Sequence, residues 1–327
     1  MGDKAGDSSQ WPQRITLQKT EKVDALSSTT IGPSGSAGFG YGIENDRFKL
    51  HDYAGLDVKG KIVVTLRGSP LGLPSEEAPC LSSIKAETVQ AHGAIGMIVI
   101  DALLSARTRS WQKRQSMNTG VSFIWVGPDG VACNESPGIG ANAGLSDKAA
   151  QALFAGAPKS LAQLRAIAEQ NGGMPRGFAL KTGARISARS ISHRVTSPNV
   201  VAMLSGSDPV LKDQYAVLSG HLDHLGISKV KPGDPADKDL TKNGAMDNAA
   251  EVATTLEVAR VLSGDNMKPR RPVIFLISTG EEKGLLGAGY YAHNPTVPPD
   301  KIVCNVDLDM PLLLYPFTGV VASAAGH

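Results

Sequence analysis

The stretch Arg271-Pro-Val-Ile-Phe-Leu-Ile-Ser-Thr-Gly280 runs directly into Glu281-Glu282 and then into Lys283-Gly-Leu-Leu-Gly-Ala-Gly-Tyr-Tyr-Ala292. The apolar run bounded by Pro and Gly reads as a buried strand, and residues 285–292 read as a helix. Two adjacent carboxylates occupy the junction. They repel each other and are costly there unless something cationic lies between them. A charged first helical turn, favoured by the helix dipole, accounts for one Glu comfortably and for two less well. A metal ion accounts for both: one Glu ligates while the other handles a proton.

The same alternation extends outward on both sides. Residues 200–204, 215–219 and 302–308 read as strands, and 248–262 as a helix with Val252, Leu256, Val258, Ala259 and Leu262 at helical spacing. Upstream the elements are shorter. Residues 61–67, 94–100 and 121–126 read as strands. Residues 82–92 read as a helix with Ile84, Val89 and Ala91 turned inward, and two further helices follow at 147–154 and 161–169. A strand at 14–20 precedes a Ser/Thr/Gly-rich connector, and residues 177–197 read as the return into the second half. The pattern predicts an α/β fold: a mostly parallel, mixed sheet flanked by helices, with an inserted smaller α/β domain. The expected division is an N-terminal segment or linker at 1–36, the insert at 37–192 and the main domain at 193–327. The polar, Pro/Gly-containing loop 229–242 is expected to be an exposed flap beside the site.

Composition narrows the class. Hydrophobic residues at 41% and charged residues at 20% fit an ordinary globular protein. Lys and Arg number 33 against 31 Asp and Glu, a net charge of +2 without a long basic run, so nucleic acid is not suggested. Cys80, Cys133 and Cys304 form neither a CxxC motif nor a disulfide framework, and Cys304, in the apolar run Lys301-Ile-Val-Cys-Asn-Val306, reads as a buried strand residue. No stretch approaches the ~20 apolar residues of a membrane span. The polar start, Met1-Gly-Asp-Lys-Ala-Gly-Asp-Ser-Ser, is unlike a signal peptide, so the expectation is a cytosolic chain or one whose leader has been removed.

In open α/β sheets the site lies beyond the carboxyl ends of the strands. Four acid or His motifs fall on that edge. His221 and Asp223 follow the strand at 215–219, and their spacing of two puts both side chains on one face of an extended segment. A ligating His usually gives its second ring N–H to a carboxylate, for which Asp223 is placed. An isolated His-x-Asp is more often a surface pair; the other three motifs reverse that reading. His224 points away from His221 in an extended segment and is expected in a loop. Asp247 reads either as a helix N-cap or as a carboxylate bridging two metals, with Asn248 then doing the capping. Glu282 would ligate, and Glu281 would take and pass a proton. Of Asp307 and Asp309, two residues apart on one strand face, one is expected to ligate.

His221-Leu-Asp-His-Leu-Gly226, Asn243-Gly-Ala-Met-Asp-Asn248, Thr279-Gly-Glu-Glu-Lys-Gly-Leu-Leu-Gly287 and Asn305-Val-Asp-Leu-Asp-Met310 resemble, in order, the motifs of the M28 (aminopeptidase Y-type) zinc peptidases. Gly40-Tyr-Gly-Ile43, Asp52-Tyr-Ala-Gly-Leu-Asp-Val-Lys-Gly-Lys-Ile-Val-Val64 and Ala91-His-Gly-Ala-Ile-Gly-Met-Ile-Val99 resemble the protease-associated (PA) insert of such enzymes. The resemblance implies a zinc exopeptidase-like (phosphorylase/hydrolase-like) fold and an aminopeptidase acting on peptide or protein substrates. It also implies a secreted or periplasmic location. It implies two zinc ions per complete site. One would be held by His221, Asp309 and the bridging Asp247, the other by Asp247, Glu282 and a further His. Glu281 is the implied general base, Asp223 supports His221, and a water between the metals attacks the scissile carbonyl.

The chain departs from that pattern in two respects. The further His belongs well downstream of Asp309, and His327 is the one later His and lies too early to be carried over. The expectation is a fragment or truncated product. The helix after Asp247 begins Asn248-Ala-Ala-Glu251 where the family usually has Ser-Gly, which brings a carboxylate toward the site. Two rival readings remain: a glutaminyl cyclase-type acyltransferase, against which His221 argues, and a non-catalytic homologue that binds peptide or protein. The oligomeric state is not legible.

Overall fold

The computed structural model describes residues 13–22, 35–37, 40–75, 77–118, 121–186, 190–264 and 267–310. In chain order the strands begin with β1 (Gln13–Lys22), β2 (Gly35–Ala37), β3 (Glu44–Asn45), β4 (Leu50–His51) and β5 (Ile62–Leu66). They continue with β6 (Gly96–Ile100), β7 (Ser122–Val126), β8 (Ala141–Gly144), β9 (Ala179–Gly183) and β10 (Ser190–Leu204). The last five are β11 (Tyr215–His221), β12 (Gly226–Ile227), β13 (Thr241–Lys242), β14 (Val273–Ser278) and β15 (Ile302–Asp307). The helices are α1 (Glu77–Ser83), α2 (Lys85–Ala91), α3 (Leu103–Thr108), α4 (Trp111–Asn118), α5 (Asp147–Leu153), α6 (Leu161–Ala168), α7 (Ala250–Leu262) and α8 (Leu286–His293).

Contacts group these elements into two units. The first takes the described residues within 13–20, 122–133 and 192–310. Its sheet has the order β15-β11-β14-β10-β1-β7. β11 runs parallel to both β14 and β15, while β10 is antiparallel to β14 and β7 to β1. The sheet is therefore mixed, with its parallel strands β15, β11 and β14 together at one side. β14 is the apolar run of the opening stretch, and its Ile274, Phe275 and Leu276 are buried, as expected of a central strand covered on both faces. α7 packs on β11 and β14, and α8 on β14 and β7. Val201, Val217, Ile274, Leu276 and Tyr291 form one core; Leu286 and Tyr290 form another with Phe123 and Trp125.

The second unit takes the described residues within 21–121 and 134–191. Its sheet order is β8-β6-β5-β2-β9, with β5 parallel to β2 and β6, β6 parallel to β8, and β9 antiparallel to β2. Every residue of β5 is buried. α6 starts with a capping box: the Gln163 backbone N–H donates to Ser160 Oγ, and the Gln163 side chain accepts from the Ser160 backbone N–H.

Four readings from the sequence are corrected or refined. The helix at 82–92 is two pieces, α1 and α2, on either side of Ile84; Val89 is buried, whereas Ala91 is exposed. The strand at 121–126 forms β7, which pairs with β1 and groups with the first unit. Cys304 is exposed, because among the described residues β15 is the outer strand of its sheet. The residues that α7 buries are Glu251 and Thr255, while Leu256 and Val261 are exposed. The apolar spacing identified the helix and not the face it buries.

Candidate functional site

Strand register decides which side chains meet. β11 and β14 are parallel, with His221 opposite Ser278, and β15 is parallel to β11, with Asp307 opposite Ser219. The segments leaving all three strands therefore emerge at one carboxyl edge, the position expected for a site in such a sheet. His221 ends β11, Glu281 lies three residues past β14, and Asp309 lies two past β15. Asp247 comes from the segment before α7, where Asp247 and Asn248 have non-helical backbone angles.

The expected helix at 285–292 is α8, and a separate turn precedes it. Glu281–Lys283 form a single tight 3₁₀ turn, and α8 begins at Leu286. Asp223 organises that turn: its two carboxylate oxygens accept the backbone N–H groups of Glu281 at 3.0 Å and Glu282 at 3.3 Å. Asn199, fully buried, ties the turn's flanks together by accepting from Thr279 N at 3.0 Å and donating to Gly287 O at 2.9 Å. A Cβ on Gly287 would meet Asn199 Oδ1 at 2.4 Å and Thr279 O at 2.5 Å, so this close approach needs glycine. Sequence reasoning passed over Asn199, since a lone Asn within a strand carries no motif.

His221 is buried, and its Nδ1 lies 2.9 Å from the backbone oxygen of Asp223. A carbonyl only accepts, so Nδ1 carries the hydrogen, and in the neutral ring Nε2 is then the atom with the lone pair. The expected support from the Asp223 carboxylate is replaced by this carbonyl; the carboxylate stands 3.8 Å away and is engaged by the turn. Nε2 faces Asp247 Oδ1 at 3.2 Å, Glu281 Oε2 at 3.7 Å and Asp309 Oδ1 at 4.0 Å, with no hydrogen-bond partner. Of the two strand-end acids, Asp307 instead accepts from Ser219 Oγ at 2.5 Å.

His224 does not point away. Its Nδ1 lies 2.7 Å from Glu282 Oε1 and 3.6 Å from Asp247 Oδ2. Neither Nδ1 nor Oε1 meets hydrogen-bond geometry despite that proximity, and both atoms are buried. The parity argument failed because β11 ends at His221, and three residues further on an irregular segment has turned the side chain back. Two groups of donor atoms result, His221/Asp247/Asp309 and His224/Asp247/Glu282, each lying within 4.8 Å of one another. Among the described residues, these carboxylates form ion pairs with imidazoles and with no Lys or Arg. Imidazole nitrogens and carboxylate oxygens gathered without a hydrogen bond at His221 Nε2, His224 Nδ1 or Glu282 Oε1 fit a cation, and a mixed N/O donor set suits a zinc-like divalent ion.

Burial raises the proton affinity of Glu281 above the ordinary Glu range; Asp309, Glu282 and Asp223 add to the shift and His221 opposes it. Glu251 is shifted the same way. Burial is again the first cause and Asp309 adds to it, while His221 and the backbone N–H groups of Glu251 and Met310 oppose it. Glu251 is fully buried and neither carboxylate oxygen meets hydrogen-bond geometry, which is why burial is the first cause of its upward shift. Neither Asp247 nor Asn248 caps α7, contrary to expectation; Asn248 Nδ2 donates to Leu308 O at 3.3 Å instead. The loop between β12 and β13 is exposed along most of its length, as expected.

Residues 199–312 match the model of Peptidase family M28, and residues 30–126 match that of the PA domain. A probable zinc metalloprotease of Pyrenophora teres f. teres (strain 0-1) is 35% identical over 117 residues, which are 36% of this chain and 23% of that protein. Aminopeptidase NAALADL1 of Mus musculus is 28% identical over 148 residues, 44% of this chain and 17% of that protein. The matched stretch thus spans less than a quarter of either relative's length. A solved aminopeptidase from Aneurinibacillus sp. strain AM-1 aligns with 92% of this chain and 57% of its own, at 21% identity and a TM-score of 0.35.

Proposed function

From a chain whose residues 199–312 are those of an M28 peptidase and whose residues 30–126 are those of a PA domain, we infer a zinc-dependent aminopeptidase that removes N-terminal residues from peptides. The observation that carries this reading is the pair of imidazole nitrogens facing unpaired carboxylates at one sheet edge. His221, Asp247 and Asp309 would hold one zinc, and Asp247 and Glu282 would contribute to a second. When bound, zinc supplies Lewis-acid polarisation of the scissile carbonyl and makes a nearby water more acidic.

The chain's own residues do the rest. Glu281, partly buried and beside other acids, has a raised proton affinity that suits a general base. It takes a proton from the attacking water and hands it to the leaving amine. Asp223 holds both Glu281 and Glu282 by their backbone N–H groups, and its carbonyl fixes the tautomer of His221. The division into a segment at 1–36, a PA insert at 37–192 and a peptidase part at 193–327 is proposed with this function, residues 122–133 going with the peptidase part. Peptide substrates and a secreted or periplasmic location belong to the same proposal. Among the described residues, no helix is long and apolar enough to cross a membrane.

The test is hydrolysis of a leucine anilide with and without chelator. Activity that needs zinc supports the reading, and chelator-insensitive turnover overturns it. Glu281→Ala should lower turnover by about 10²–10⁴-fold, the range of general-base catalysis, with metal content unchanged. Turnover retained in that variant would remove Glu281 from the role.

A further inference from the structure

Resting on the metallopeptidase reading, we propose that Asn199 is a positioning residue for turnover: its buried carboxamide closes the neck of the loop 279–287 and so holds Glu281 at the sheet edge.

The neck is tied by a short circuit of hydrogen bonds. Asn199 Oδ1 accepts from Thr279 N at 3.0 Å, and Asn199 Nδ2 donates to Gly287 O at 2.9 Å. Gly287 N in turn donates to Thr279 O at 2.8 Å, and Leu286 N to Gly280 O at 3.1 Å. The backbone ladder between β10 and β14 runs from Leu204 opposite Val273 to Val200 opposite Ile277. Past that end the Asn199 side chain takes over from the backbone, because a carboxamide offers a donor and an acceptor together, as a peptide group does. Aspartate lacks the donor and leucine lacks both. Glutamine carries the same groups one methylene further out, in a place where Asn199 is already fully buried. Ser197, on the same strand, adds a hydroxyl contact to Thr279 Oγ1 at 2.7 Å.

The loop needs this hold. Gly280, Gly284 and Leu285 have φ of 69°, 107° and 56°. A side chain makes that conformation unfavourable, and Leu285 is 58% exposed, so its own burial does not keep it there. Such a residue persists where its surroundings over-determine it. Asp223 holds the inside of the loop by the N–H groups of Glu281 and Glu282, and Asn199 holds its neck. From this loop Glu281 Oε2 reaches to 3.7 Å from His221 Nε2. A proton-transferring group displaced by about 1 Å loses on the order of 10²-fold in rate, so a remote tie on its loop acts on turnover.

The experiment uses the full 327-residue chain. Leucine-anilide hydrolysis is resolved into kcat and KM, zinc is counted by elemental analysis, and hydrogen exchange across 279–287 is read in the metal-free chain. Asn199→Leu removes both hydrogen bonds at similar volume. It should lower kcat about 10–100-fold, the range for groups that act through a neighbour at a metal centre, with zinc content and KM close to wild type. Exchange should quicken at Thr279 and Gly287 while β11 keeps its protection. Gly287→Ala should do the same, since a Cβ there would collide with Asn199 Oδ1 and Thr279 N. The double variant should be no slower than the worse single one, because both open one neck. Circular dichroism reports folding, and if Asn199→Leu does not fold, Asn199→Asp is read in its place with the same direction expected. A folded Asn199 variant with wild-type kcat overturns the proposal and leaves the metallopeptidase reading standing. A fall in kcat matched by an equal loss of bound zinc does the same, because Asn199 then supports metal retention and not Glu281. A wild type without zinc-dependent hydrolysis overturns both.

Discussion

Each unit buries a cluster of ionisable groups, and the two clusters are built on opposite plans. In the second unit Asp101 receives Arg67 Nε at 2.9 Å and Arg114 Nη2 at 2.6 Å, and its carbonyl receives Arg165 Nε at 2.9 Å. Arg114 also donates to Ser105 O, and Arg165 to Asp147. Lys85, buried beneath Tyr41, donates to the carbonyls of Leu66 and Gly68. In the first unit, His221 Nε2, His224 Nδ1, Glu282 Oε1 and both oxygens of Glu251 are buried without a hydrogen bond. A closed network holds a fold, whereas an open one of a single sign has been kept despite its cost. The difference between them is stronger evidence of a binding site than any one distance within the second.

That comparison can be broken most directly at Asp101. Asp101→Ala leaves the buried Arg114 without its charge partner and should cost about 3–5 kcal/mol. Hydrogen exchange should show the loss in β5 and β6 and spare β11 and β14. Equal loss in both units would mean that the Asp101 network is not local to its own unit.

Zinc should act on the other side. At a free concentration of 100 times its dissociation constant it should stabilise the first unit by about 2.7 kcal/mol. The gain is expected in the exchange protection of β11 and β14, with none in β5 and β6. Protection gained in the second unit instead would move the cation site away from His221.

The smallest effect sharpens the contrast through pH. Burial pushes the Lys85 amine down from its ordinary 10.5 to about 7, with Asp52 opposing in part. The unfolded chain therefore holds this proton between about pH 7 and 10.5 while the folded chain has released it. Stability rises with pH across that window, and the burial penalty is felt in full below it. The slope should reach at most about 1.4 kcal/mol per pH unit. Burial also pushes Tyr41 up to about 12, which reverses the trend only above the ordinary tyrosine range. Urea unfolding of wild type and Lys85→Met between pH 7 and pH 9 measures the effect: the wild type should gain on the variant as pH rises, and parallel curves would assign the amine an ordinary affinity.

Much of this was legible in the residues. β5, β6, β11, β14 and β15 each fall within a residue or two of the apolar runs that suggested them; for β5, β6 and β14 the reason is that a largely buried strand writes itself as a short continuous apolar segment. The expectation that His221, Asp247, Glu281, Glu282 and Asp309 share one edge rested on strand ends, and strand ends are set by local pattern. Errors entered wherever local pattern stopped applying. His224 was misread because period-two geometry was extended past the end of β11. The apolar spacing of α7 did not give its buried face, because Leu256 is exposed while Glu251 is buried. Cys304 was misread because apolar neighbours do not reveal that β15 is an edge strand.

The sequence by itself determined the kinds of element, their order and the chemistry offered at their ends, since strand and helix periodicity and side-chain type are properties of neighbouring residues. Tertiary structure alone decided the pairing of donors with one another. Which oxygen of Asp247 faces which imidazole follows from parallel register across three strands. So does the capture of the Glu281–Glu282 turn by Asp223, and no local pattern encodes either across such separations.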